Sequence, residues 1–258
     1  MEGGFFMLIV FGALFFLGIM SISYQLEVLA SLIIIGLVML VVFHKEKRFL
    51  ASLLLSFLIG FVLFMVSNHF VGTLTLSKEV KIIWNRVFLG FMIIALVVTL
   101  RIFKKKVTWY NNKPDWKNPI VLPFHRVDTF WFWLMGIFVN AIVYLVFIVQ
   151  KDTASIQSLV WFCLCFSLIN AVFEEVIWRG IMLSALKTFV STRFAIIVTS
   201  VGFGLLHLAI GFSLPLSLLI SSAGVIYAVI TLKTNSIYPS IVFHFVINIG
   251  MVYSGFIV

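Results

Sequence analysis

Of the 258 residues, 63% are hydrophobic and 10% charged, against roughly 45–50% and about 25% in soluble globular domains, and a water-soluble core cannot absorb that much apolar surface. The net charge of +9 does not indicate nucleic acid, because Lys and Arg sit in short segments between apolar runs rather than on one basic face. A soluble globular domain is excluded, and the solvent for most of the chain is a lipid bilayer.

Apolar runs long enough to cross about 30 Å of hydrocarbon, which takes about 20 helical residues, fall at residues 4–22, 26–43, 50–67, 83–103, 129–149, 158–176, 194–210, 214–232 and 237–257. They predict an all-α fold, a polytopic membrane helix bundle of about eight or nine transmembrane helices. Glu2 precedes the first run with no basic residue, and no small-residue cleavage site stands out near Ser21, so this run reads as a membrane helix rather than a removed signal peptide. Short joints at residues 23–25 and 211–213, the second followed by Pro215, separate neighbouring helices. The loop at 104–128 is the one substantial polar connection, with Pro114, Pro119, Pro123, Asn111 and Asn112 as turn signals. It divides the chain into an N-terminal membrane region, residues 1–128, of about four helices plus the basic loop, and a C-terminal region, residues 129–258.

Basic residues cluster in alternate connections: Lys45, Lys47 and Arg48; Arg101, Lys104, Lys105, Lys106, Lys113, Lys117 and Arg126; Lys187 and Arg193; and Lys233. The positive-inside tendency turns these connections to the cytoplasm, placing the N-terminus inside a cell membrane and, with nine spans, the C-terminus outside. Lys78, Lys81 and Lys151 fall on the other side. Trp109, Trp116, Trp131 and Trp133 flank the central loop, where amphipathic rings favour the interface. Cys163 and Cys165, inside an apolar run, read as packing residues rather than metal ligands.

An ionisable residue near mid-bilayer costs roughly 2.5–3.5 kcal/mol on insertion scales and usually faces a bundle interior or a watery cavity. The only adjacent acidic pair is Glu174 and Glu175, followed by Arg179. Glu175 and Arg179 stand at i and i+4 and can pair, whereas Glu174 points about 100° away around the helix axis and is left free. Phe203 and His207 lie in the next span, and His244 and Asn248 share one face of the last. At 1.5 Å rise per residue, Glu174 is about 20 Å from Lys187, His207 about 21 Å from Arg193, and His244 and Asn248 about 16 and 22 Å from Lys233. If those basic residues mark one membrane face, the four side chains converge at one depth.

At these residues the chain resembles the intramembrane CAAX-protease and bacteriocin-processing family, also called CPBP or Abi: Glu-Glu-x-x-x-Arg at Glu174, Glu175 and Arg179, Phe-x-x-x-His at Phe203 and His207, and His-x-x-x-Asn at His244 and Asn248. The resemblance covers residues 158 to the C-terminus and places a protease core in the C-terminal region. It implies an intramembrane endopeptidase in which Glu174 and His207 activate water, His244 and Asn248 stabilise the oxyanion, Glu175 is held by Arg179 or adds to the water site, and Phe203 lends structural support. The implied partners are a membrane-embedded or membrane-anchored peptide and the bilayer, with no nucleic acid.

The same atoms admit a metal reading, since Glu174, His207 and His244 form a standard zinc set. No His-Glu-x-x-His motif is present, so a site without a cofactor is the preferred expectation. A different class of function, a non-catalytic scaffold or immunity protein of the same family, would survive Glu174→Ala where a peptidase would not. A transporter, whose proton relays also use intramembrane acids and histidines, would be expected to repeat the polar positions in its two halves, and these do not repeat.

Overall fold

A computed structural model of the chain describes residues 2–121 and 125–257, with the backbone alone over 2–6; Pro123, one of the predicted turn signals, lies outside the described residues. In hydrocarbon every backbone N–H and C=O must be bonded internally, so apolar runs become helices. These are α1 (Glu2–Ser23), α2 (Glu27–Phe43), α3 (Arg48–Gly72), α4 (Lys78–Val87), α5 (Gly90–Ile102), α6 (Thr129–Ile148), α7 (Thr153–Glu175), the short α8 (Ser184–Leu186), α9 (Thr192–Leu206), α10 (Leu214–Thr234) and α11 (Tyr238–Tyr253). A π-helical stretch, Val176–Leu183, joins α7 to α8, and a 3₁₀ turn, His207–Ile210, ends α9. The loop carries a two-residue antiparallel pair, β1 (Ile120–Val121) with β2 (Arg126–Val127).

By length and composition, six helical stretches among the described residues are able to cross a membrane: Lys45–Gly72, Lys78–Ile102, Thr129–Ile148, Thr153–Leu186, Thr192–Ile210 and Leu214–Thr234. Shorter apolar helices occupy Met7–Ser23, Glu27–Phe43 and Tyr238–Tyr253. The helical bundle expected from the apolar runs is present, and its joints use ordinary signals. Ser77, Asp128, Asp152 and Ser191 cap helix starts by accepting from backbone N–H groups. Gly211, at φ 92°, ends the 3₁₀ turn before Pro215 opens α10.

Two boundaries differ from the sequence expectation, and both affect the site. The fourth span begins at Lys78 rather than residue 83, and it is broken between Val87 and Gly90. The sixth runs without interruption from Thr153 to Leu186, but through a π-helical segment that begins immediately after the Glu174–Glu175 pair. Such segments often occur at functional sites.

The core lies between α1, α3, α5, α9 and the π segment. Phe15 meets Phe57 at 5.0 Å between ring centroids, Phe57 meets Trp178 at 4.9 Å, and Trp178 meets Phe203 at 6.4 Å. Between α9 and α10 the seam is made of small residues: a Cβ on Gly204 would collide with the Ser217 carbonyl and Ser221, and one on Gly224 with Ser200. This is the close backbone approach that membrane helices use where water cannot drive association. Facing outward are large apolar side chains such as Ile35, Phe70, Ile102, Phe138 and Leu219, a surface suited to lipid. Cys163 is buried as expected, whereas Cys165 is on the exposed face, and both are free thiols.

Candidate active site

Glu174 and Glu175 end α7 beneath the bundle surface, 1% and 0% exposed. The predicted i, i+4 pair is present, with Arg179 Nη1 at 2.8 Å from Glu175 Oε1. Arg179 is itself fully buried. Its Nη2 donates to the Gly224 carbonyl at 2.8 Å, and its guanidinium lies 4.7 Å from the Phe203 ring centroid and 5.1 Å from that of Tyr227. A carboxylate, a carbonyl and two aromatic faces replace the water this cation has lost.

Glu174 is not free, which corrects the sequence expectation. Arg86, on α4, approaches its Oε1 to 3.3 Å and donates to Asn170 Oδ1 at 2.9 Å. Arg86 and Asn170 are also buried, at 7% and 3% exposure. The N-terminal region, which by sequence contributes almost no ionisable group to a span, therefore supplies the counter-charge of the motif carboxylate. Glu174 Oε2 receives no hydrogen bond from the described residues.

The network assigns the protons of both histidines. Arg86 can only donate, so Asn170 turns its carbonyl oxygen to Arg86 and its Nδ2 to His244 Nε2, 3.4 Å away. Nε2 is then an acceptor, and Nδ1 carries the proton that His244 donates to Glu175 Oε1 at 3.2 Å. His244 Nε2 also stands 3.8 Å from Glu174 Oε2. The ring stacks on Tyr227, with centroids 5.1 Å apart and planes at 17°. His207 Nδ1 donates to the Phe203 carbonyl at 3.0 Å, leaving Nε2 of the neutral ring as its lone-pair nitrogen. Besides facing Arg179, Phe203 supports both histidines: its carbonyl orients His207, and its ring packs on His207 at 5.3 Å and on His244 at 5.7 Å. Asn248, one turn beyond His244, donates one long bond, 3.5 Å, to the Ser167 carbonyl.

Arg86, Asn170, His207 and Asn248 line a cavity of ≈ 640 Å³. A narrow cleft of ≈ 10 Å³ lies among Glu174, Arg86 and His207, about the volume in which one water can be held. The arrangement places a buried carboxylate and the His207 imidazole beside a water-sized space, and the Asn248 amide lines the larger cavity together with His207. A zinc ion fits it poorly, because Arg86 places a positive charge against Glu174, and among the described residues no three His, Cys, Asp or Glu side chains are grouped to hold a metal.

The structure brings together every motif residue named from the sequence. Sequence reasoning missed Arg86, Asn170 and Tyr227. Asn170 stands four residues before Glu174, and Glu175 four before Arg179, so a polar stripe at helical spacing could have revealed it. Arg86 carried no such signal within the motif region.

Residues 156–250 match the family model described as type II CAAX prenyl endopeptidase Rce1-like. No curated protein and no solved structure gives a significant match to the chain. The matched stretch contains Asn170, Glu174, Glu175, Arg179, Phe203, His207, His244 and Asn248, and excludes Arg86. Over residues 156–250 the chain is thus similar to the Rce1-like type II CAAX prenyl endopeptidases.

Proposed function

We propose that the protein is an intramembrane endopeptidase that hydrolyses a peptide bond in a membrane-associated substrate without a metal. The observation that carries this reading is the grouping of Glu174 with His207 at one narrow cleft and with His244 Nε2 at 3.8 Å, while His207 and Asn248 line the larger cavity.

Glu174 and the lone-pair nitrogen of His207 hold a water between them. Glu174 takes its proton, the hydroxide attacks the scissile carbonyl carbon, and the carbonyl oxygen becomes an oxyanion. When the C–N bond breaks, the proton passes to the leaving nitrogen, giving an acid and an amine. Arg86 sets a counter-charge against Glu174 and Asn170 keeps Arg86 in place. Asn248, tied by one long bond, turns its Nδ2 to the oxyanion. His244 accepts from Asn170 in the resting network, so its donation to the oxyanion requires release of Asn170 and a proton taken up at Nε2 from solvent through the cavity, the Nδ1–H staying on Glu175.

The substrate we infer is a peptide held at the membrane by an apolar or lipidated segment, since the cavity wall combines Phe166, Met251 and Phe256 with the polar floor. Purified protein in detergent, incubated with a panel of membrane-anchored peptides and read by mass spectrometry, should yield one pair of fragments from a cleaved member. A scaffold or immunity protein would bind a member of the panel and leave it whole.

A further inference from the structure

The cavity has one open end, and that end lies opposite the basic loops. Its mouth is formed by the α3–α4 connection and the C-terminal end of α11: Asn68, Gly72, Lys78, Met251 and Phe256 line it, with Phe212 from the α9–α10 turn. Those connections sit at the membrane end that carries only Lys78, Lys81 and Lys151 as basic residues. All the other Lys and Arg residues outside the spans lie at the far end, in the connections before α3, between α5 and α6, between α8 and α9, and at the end of α10.

That far end is closed over the site. The Tyr110 carbonyl accepts from Ile237 N–H at 2.7 Å, Asp115 N–H donates to the Thr234 carbonyl at 2.8 Å, and Thr108 N–H donates to Ser184 Oγ at 2.7 Å. The Tyr110 hydroxyl accepts from Lys187 Nζ at 3.1 Å, and Tyr110 is buried. Between this seal and the carboxylates stand Trp178, Arg179 and Ile181, all fully buried. Among the described residues, these close the approach to the site from the basic side.

The open end is built for water. On α4, Lys78, Lys81, Ile82, Asn85 and Arg86 line the cavity, the i, i+3, i+4, i+7, i+8 spacing of one helix face. Its polar members lead from the mouth down to Glu174, as intramembrane charges do along a hydrated path. Short basic connections are retained on the cytoplasmic side of a membrane, so the sealed end is cytoplasmic and the mouth is not.

We propose that the cavity opens on the extracytoplasmic face, and that its substrates are peptide segments of exported or membrane-anchored chains that reach the site from that face. The side of access stands on charge distribution and packing alone; only the word substrate rests on the endopeptidase reading. A prenylated C-terminus held at the cytoplasmic leaflet would meet the sealed end.

The test uses single cysteines in the full chain with Cys163 and Cys165 replaced by alanine, expressed in intact cells and treated with a charged, membrane-impermeant maleimide. Lys78→Cys and Lys151→Cys mark the open end, Lys106→Cys the basic loop, and Asn85→Cys the cavity wall. We expect Lys78→Cys, Lys151→Cys and Asn85→Cys to be labelled in intact cells and Lys106→Cys only after permeabilisation. Labelling of Lys106→Cys in intact cells, or of Lys78→Cys and Lys151→Cys only after permeabilisation, would overturn the proposal. So would an Asn85→Cys that labels only from the cytoplasmic side. None of these readings depends on turnover, so loss of the endopeptidase reading would leave the access result standing.

Discussion

Arg86 and Glu174 are 88 positions apart in the chain and 3.3 Å apart in the structure, which makes α4 part of the proposed site, whose motifs lie on and just beyond α7 and α9 and on α11. Breaking a buried ion pair from one side leaves a charge without compensation, at a cost of about 3–5 kcal/mol. Arg86→Ala should therefore lower abundance and thermal stability by an amount on that scale. Combining it with Glu174→Gln should restore much of the stability while leaving no activity. A single Arg86→Ala variant as stable as wild type would show that the pair is not maintained.

The same pairing changes how the proposed catalytic role of Glu174 has to be probed. Glu174→Ala strands Arg86, so Glu174→Gln, which keeps the volume and can still accept from the guanidinium, is the cleaner substitution. Glu174→Gln should lose part of the stability that the ion pair supplies, less than Glu174→Ala, and His207→Ala should fold to near wild-type levels; per folded molecule each should lose about 10²–10⁴-fold in turnover, the range of a positioned acid–base group. Near-normal turnover in either variant would remove that residue from the water-activating role.

Arg179 is held by Glu175, the Gly224 carbonyl and two rings. Arg179→Ala should cost several kcal/mol and deplete the protein, and Arg179→Lys should recover only part of the loss, because a single ammonium cannot replace the planar fork. Thermal unfolding of the three proteins in one detergent checks the order wild type, lysine variant, alanine variant.

The small-residue seam predicts a contrast between two glycines. Gly204 meets Ser217 and Ser221 with no room for a side chain, whereas a Cβ on Gly36 of α2 would meet nothing within 4 Å. Gly204→Leu should displace α9 and with it His207, so protein level should fall sharply. Gly36→Leu should leave abundance unchanged, and membrane-fraction immunoblots would separate the two.

Much of this fold was legible in the amino-acid sequence. Uninterrupted apolar runs force helices in lipid, so the spans followed from composition. Depth along each helix follows from a fixed rise, so the convergence of Glu174, His207, His244 and Asn248 could be stated from the spacing to Lys187, Arg193 and Lys233. Hidden from that reasoning was everything decided between helices. Arg86 stands near the start of the predicted run at 83–103, and it is carried deeper into its helix by the earlier start of α4 at Lys78, set by the Ser77 cap, which accepts from Val80 N–H. The π segment after Glu175 has no sequence marker, and it accommodates Arg179 between Phe203 and Tyr227 without losing the pair to Glu175. The proton positions on His244 required knowing that Asn170 bridges it to Arg86.

The metal-free reading makes demands of its own. With Arg86 against Glu174, purified protein should carry less than one equivalent of zinc and keep its activity through prolonged chelation. Asn248→Ala and His244→Gln should lower kcat more than they change KM, with about a 10²–10³-fold loss for a missing oxyanion donor. One tightly bound zinc per chain, lost with activity and restored with it, would assign Glu174, His207 and His244 to the metal instead.

The most direct test of the endopeptidase assignment is turnover of a membrane-anchored peptide by purified wild-type and Glu174→Gln protein side by side, in water enriched in ¹⁸O. The wild type should release a fragment whose new C-terminal carboxylate carries one solvent oxygen, and the Glu174→Gln protein, compared at equal amounts of folded protein, should release essentially none. Cleavage by the variant at the wild-type rate, or a panel bound by the wild type and left whole, would contradict the account.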